Sequence, residues 1–133
     1  GVIDDSWPES TASLYSLLVR AVIVFLLVVL VGDQVVAERA PRRLGDAFRA
    51  YERGDLAAAK ATLAGLEVDD LANRDYAFWL RGAVALKLGD HGGARRAFEA
   101  LGKLDGKFKR EVPWRLADVA WERGDRGEAA RAY

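Results

Sequence analysis

Ala50-Tyr51-Glu52-Arg53-Gly54-Asp55, Ala85-Leu86-Lys87-Leu88-Gly89-Asp90 and Ala120-Trp121-Glu122-Arg123-Gly124-Asp125 are one six-residue phrase written three times, 35 residues apart. The register extends to both sides. Downstream, Ala59, Ala94 and Ala129 share a column, as do Leu63, Phe98 and Tyr133. Upstream, Ala47, Gly82 and Ala117 form a small-residue column, and Leu44, Trp79 and Trp114 a large one. Eight columns hold in one ungapped register, and self-similarity at such a period is the mark of stacked supersecondary units.

Each unit reads as a helical hairpin. In the second, Phe78, Gly82, Ala85 and Leu86 fall at i, i+4, i+7 and i+8, the apolar stripe of a helix. Gly89 ends that helix, because glycine accepts the left-handed backbone that closes it. Asp90 then caps the next helix by accepting from its free N–H groups. Ala94 is small enough to let the two helices approach, and Phe98 fills the space beyond. The spacing predicts an all-α fold with helices over 41–53 and 56–66, 71–88 and 91–102, and 111–123 and 126–133. Pro113 suits the first turn of its helix, where a missing N–H costs nothing. Gly102–Gly106 reads as the turn between the second and third units.

These residues resemble the tetratricopeptide repeat (TPR) family, in which a Gly-Asp turn follows the first helix, a small residue comes five positions later and an aromatic four beyond that. The resemblance covers residues 41–133, with units over 41–70, 71–105 and 106–133. The period is one longer than the usual value of about 34. Arg81 stands where a leucine is expected, and the proline that closes a unit is absent. The family's first-helix face lines a concave groove that binds extended peptides. Carried over by register, the resemblance implies a groove of Phe48, Tyr51, Glu52, Trp79, Lys87, Trp114, Asp118, Trp121 and Glu122. The tryptophans have a second reading, as packing between hairpins, since large rings anchor cores and interfaces alike.

Ahead of the repeats, residues 21–31 are eleven apolar residues without a polar break. The hydrophobic stretch reaches over 14–32 when Ser16 and Arg20 are taken in. Two readings stand. As a secretory signal, Arg20 is the positive region, 21–31 the apolar region, and Val35-Val36-Ala37 the cleavage site before Glu38; the repeats are then exported, in a periplasm or beyond. As an uncleaved anchor, it has Asp4, Asp5 and Glu9 before it and Arg39, Arg42 and Arg43 after it, which puts the repeats in the cytoplasm. Residues 1–37 are thus a signal or anchor segment and 38–133 the repeat domain. The absence of methionine, even at position 1, implies processing or a longer parent. A third unit that stops at Tyr133 within its second helix implies a parent that continues.

Composition narrows the chemistry. Hydrophobic residues are 51% and charged residues 30%, with zero formal net charge, so no nucleic-acid partner held by bulk charge is expected. With no cysteine and one histidine, His91, thiolate sites, disulfides and His-based metal clusters are excluded. Asp69 and Asp70 are adjacent on a turn and point apart, which is a solvated linker rather than an acid–base pair. Gly89, Gly92 and Gly93 lack the strand before and the Gly-Lys-Ser/Thr after that a phosphate loop needs. Ser6, Ser10, Ser13 and Ser16 have no base arranged beside them. The chain reads as non-catalytic, without cofactor or metal, and as a binder of protein or peptide.

A further resemblance concerns what such a chain opens. Leu71-Ala-Asn-Arg-Asp-Tyr-Ala-Phe-Trp-Leu-Arg81 and Val112-Pro-Trp-Arg-Leu-Ala-Asp118 are similar to hairpins in the α-superhelical region of periplasmic soluble lytic transglycosylases. That resemblance implies a peptidoglycan-cleaving parent whose active domain lies outside this chain. The Glu-Ser pair of that family is not carried onto Glu9-Ser10, which lacks the Gly-Leu-Met-Gln stretch downstream and precedes the hydrophobic segment.

Overall fold

The computed structural model describes the backbone from Glu9 to Tyr133 and the side chains of residues 11–32 and 39–133. Asp4, Asp5 and Ser6 lie outside the described residues, as do the side chains of Glu9, Ser10, the Val35-Val36-Ala37 site and Glu38. Among the described residues all regular structure is helical. The chain divides between Glu38 and Arg39 into two units, and α1 (Glu9–Glu52) contributes to both.

In the N-terminal unit, Thr11–Gly32 is a 22-residue helical stretch of mean hydropathy 2.8 with none of its surface buried. At 1.5 Å per residue it is about 33 Å long, against a hydrocarbon core of about 30 Å. It is long and apolar enough to cross a membrane, although a signal sequence near an N-terminus meets the same test. The helix outruns the apolar run of residues 21–31 because it continues back through Arg20, Ser16 and Tyr15.

In the C-terminal unit, the end of α1 is followed by α2 (Leu56–Ala64), α3 (Arg74–Lys87), α4 (His91–Gly102), α5 (Val112–Arg123) and α6 (Arg126–Ala132). Three helical hairpins result, closed by one turn used three times. Gly54, Gly89 and Gly124 have φ of 79°, 77° and 88°, where a Cβ would be strained. The following aspartate N–H reaches back to Ala50, Ala85 or Ala120 O at 2.9, 2.9 and 2.8 Å, the Schellman closure of a helix end. The same aspartate's carboxylate accepts from Ala58, Gly93 or Glu128 N–H at 3.1, 2.9 and 3.0 Å, starting the second helix. Ala59, Ala94 and Ala129 are fully buried where the two helices meet.

One helix start differs from the sequence pattern. The pattern predicts a helix from Leu71, whereas α3 begins at Arg74. Val68–Asp70 forms a 3-10 turn, and Leu71 is extended, at φ −97° and ψ 136°, with its side chain buried. Pinning Leu71 in the core from an extended backbone prevents the helix from including it. The helix predicted over 111–123 is α5, Val112–Arg123, preceded by a 3-10 turn at Lys109–Glu111 and with Pro113 in its first turn as expected.

Arg81 has a structural role. Its Nη2 donates to Leu63 O at 2.8 Å and Leu66 O at 2.9 Å, at and just beyond the end of α2, adding to the backbone bond that Leu63 O already accepts from Leu66 N–H. Burial pushes its guanidinium below the usual arginine pKa. Arg43 Nη1 donates to Gly65 O at 2.6 Å in the same place. Further along, the Phe98 ring is fully buried and nests where Gly82 has no side chain; a Cβ there would lie 2.5 Å from the ring. The buried side chains form one cluster from α1, α2 and α3 and a second from α4 and α5, and Phe78 and Trp79 pack against both. Each large side chain buried in this way contributes about 1.5–3 kcal/mol.

Candidate functional site

Aromatic residues of α1 and α3, together with Phe108, form a connected set of rings. Phe48 of α1 meets Tyr76 of α3 edge-on at 5.9 Å, and Tyr51 meets Trp79 edge-on at 6.4 Å. Tyr76 and Trp79, one helical turn apart on α3, stack at 6.1 Å. Phe108, in the connection between α4 and α5, lies 6.0 Å from Tyr76 and 5.7 Å from Trp79. Cations cover two outer faces: Lys87 Nζ is 4.7 Å from the Tyr51 centroid and the Arg115 guanidinium 5.7 Å from that of Trp79. Such contacts add about 0.5–1 kcal/mol at exposed sites.

Phe48, Tyr51 and Trp79 of the register-derived groove are therefore half-buried, and they tie one hairpin to the next. Trp79 Nε1 is buried without a hydrogen-bond partner among the described residues, so this ring is held by its faces and edges. Burial, then the negative charge of Glu52, raises the Tyr76 phenol above its usual pKa. Glu52 itself is exposed.

The other members lie toward the third hairpin. Lys87, Asp118, Trp121 and Glu122, with Leu86, line a surface depression of about 400 Å³ between α3 and α5. Asp118 and Glu122 stand at i and i+4 on α5, which places both carboxylates on one helical face. Trp121 is 51% exposed, with the Arg126 guanidinium 4.9 Å from its centroid. Asp118 accepts from Tyr133 Oη at 2.7 Å and pairs with Arg115 at 3.6 Å. Trp114 is 54% exposed and touches the Tyr133 ring at 5.8 Å.

The register thus selected residues of two kinds, three that stitch hairpins together and a set that lines or borders open surface. It missed Tyr76 and Phe108. Tyr76 was readable, three positions before Trp79 on the same helix, whereas Phe108 sits in a stretch without periodicity. His91 is the first residue of α4 and half-buried. Asp69 and Asp70 are exposed on their 3-10 turn. No group of acidic and histidine residues among the described ones is arranged to hold a metal ion. Set against protein-family models, characterised proteins and solved structures, the chain matches none.

Proposed function

We propose that residues 38–133 are a TPR-like hairpin solenoid that acts as a non-catalytic docking scaffold, carried behind a signal or anchor helix. The observation that carries this reading is the depression between α3 and α5, where Lys87, Asp118, Trp121 and Glu122 converge around a half-exposed tryptophan. A large ring beside unburied charge is the composition of an interface anchor. The partner is an extended peptide that lays an apolar side chain on Trp121 and sets a basic side chain against Glu122, which forms no ion pair among the described residues.

The test is selection from a displayed library of random peptides on the full chain in uncharged detergent. Enriched peptides should carry a basic residue next to an apolar one. Trp121→Ala should weaken them at least about tenfold, as anchor residues do. Binders indifferent to Trp121→Ala, Lys87→Ala and Glu122→Ala would remove the depression from the function. The compartment is tested separately. Export of the scaffold predicts activity from a C-terminal reporter that works only outside the cytoplasm, and a silent reporter with an uncleaved product supports cytoplasmic anchoring instead.

A further inference from the structure

The repeat places the same pair of second helices side by side twice, α2 with α4 and α4 with α6, and the two slots are filled differently. Between α4 and α6, Arg95 Nη2 donates to Glu128 Oε1 at 2.7 Å, and Arg123 Nη2 holds Oε2 at 2.9 Å. Hydrogen bonding to Glu128 raises the Arg95 pKa above the usual arginine value. On α4, Phe98 is fully buried with its ring against Gly82 of α3. One register earlier, Lys60 stands for Arg95, Gly93 for Glu128 and Leu63 for Phe98. The slot between α2 and α4 therefore lacks a carboxylate arm and part of a ring. What is left is a cavity of about 320 Å³ lined by apolar side chains with Lys60, Arg81 and Arg96 around it.

Charge is unbalanced here. Lys60 and Arg96 form no ion pair among the described residues, and Arg81 has spent only Nη2 on the carbonyls of Leu63 and Leu66, out of five N–H donors on a guanidinium. The one carboxylate in the lining, Asp90, already accepts from Gly93 N–H. A cavity of this size lies at the lower end of small-ligand sites. We propose that this slot binds a small apolar carboxylate, of about the size of phenylpropionate, with its charge among Lys60, Arg81 and Arg96 and its apolar body on Leu63, Phe78 and Ala97. The ligand supplies in one molecule what Glu128 and the larger Phe98 ring supply one register on. The site is lined by α2, α3 and α4 and shares no residue with the α3–α5 depression.

The experiment follows amide resonances of Gly93 and Ala97 in the full chain, in uncharged detergent, on titration with 3-phenylpropionate, 3-phenylpropanamide and acetate. The acid should shift both resonances saturably. The neutral amide should bind at least about tenfold more weakly, and acetate should have no saturable effect. Lys60→Ala, a surface change that leaves the core untouched, should weaken the acid roughly fivefold. Gly93→Glu restores the internal carboxylate of the third hairpin and should abolish binding. The proposal is overturned if the amide binds as tightly as the acid. It is equally overturned if Gly93 and Ala97 are unmoved up to about 10 mM, if Lys60→Ala binds like the wild type, or if the shifts appear at Trp121 instead.

Discussion

Trp79 and Trp114 occupy the same position in successive hairpins, yet one is a joint and the other is surface. Trp79 lies among Tyr51, Tyr76 and Phe108 with Arg115 against its ring. Two of those four, Phe108 and Arg115, come from the sequence that follows the second hairpin. Trp114 has Tyr133 beside it and is 54% exposed. A repeat column therefore fixes where a side chain sits on its own helix but not what covers it, because the cover comes from the neighbouring unit. That is how stacked repeats distribute stability, as a sum of terms within units and terms between them.

The largest expected effect follows from this contrast. Trp79→Ala removes a joint and should cost about 3 kcal/mol, near the low end for a large aromatic because the ring is only half-buried. Trp114→Ala should cost under about 1 kcal/mol, as surface substitutions do. Thermal unfolding of the full chain in uncharged detergent, followed by circular dichroism, measures both. Equal losses would show that the two positions are energetically alike despite their surroundings.

A second test sharpens the comparison between the first and second hairpins. By register, Ala47 and Leu63 of the first hairpin stand where the second has Gly82 and Phe98, which meet ring to backbone, so small and large are traded between the two columns. Gly82→Ala drives a methyl into the Phe98 ring and should destabilise by about 1–3 kcal/mol. Adding Phe98→Leu rebuilds the first hairpin's combination and should recover most of that loss. If the double variant is as unstable as the sum of the two single ones, the contact is not the one that couples them.

Gly54, Gly89 and Gly124 with their aspartates were legible from the chain because both residues are chosen by backbone chemistry, a left-handed turn and an unmet set of N–H groups. The start of α3 was less so. Leu71 fits the helical period as well as a helical residue would, and only its burial from an extended backbone sets it apart. On the candidate site, the register found Trp121, Lys87, Asp118 and Glu122 because they project from the faces of regular helices. Phe108 escaped because it lies in a connection. The cavity between α2 and α4 escaped for another reason: it arises from a glycine at the position where the next hairpin has a glutamate, and that substitution acquires meaning only once Arg95 is seen to need the glutamate.

The smallest effect concerns the other end of the Trp114 cluster. Hydrogen bonding to Asp118 raises the Tyr133 phenol above its usual value of 10.0. The contact is present while the phenol keeps its proton, below the usual phenol range, and is lost as pH rises through the raised value. Asp118→Asn should bring the Tyr133 titration back toward the usual range, read as phenolate absorbance against a Tyr133→Phe control. An unchanged titration would mean that Tyr133 does not spend its time on Asp118.

The two arginines at the end of α2 have a consequence for how the domain opens. Nine residues are too few for a helix to persist alone in water. Its terminal carbonyls are held by Arg43 from the preceding helix and Arg81 from the following one, so fraying of that end must break contacts with both. The amides of α2 should exchange with solvent in step with those of α1 beyond Arg39 and of α3, as one cooperative block, rather than at the fast rate its length would set. Arg81→Leu should release α2 to exchange early while α3 stays protected.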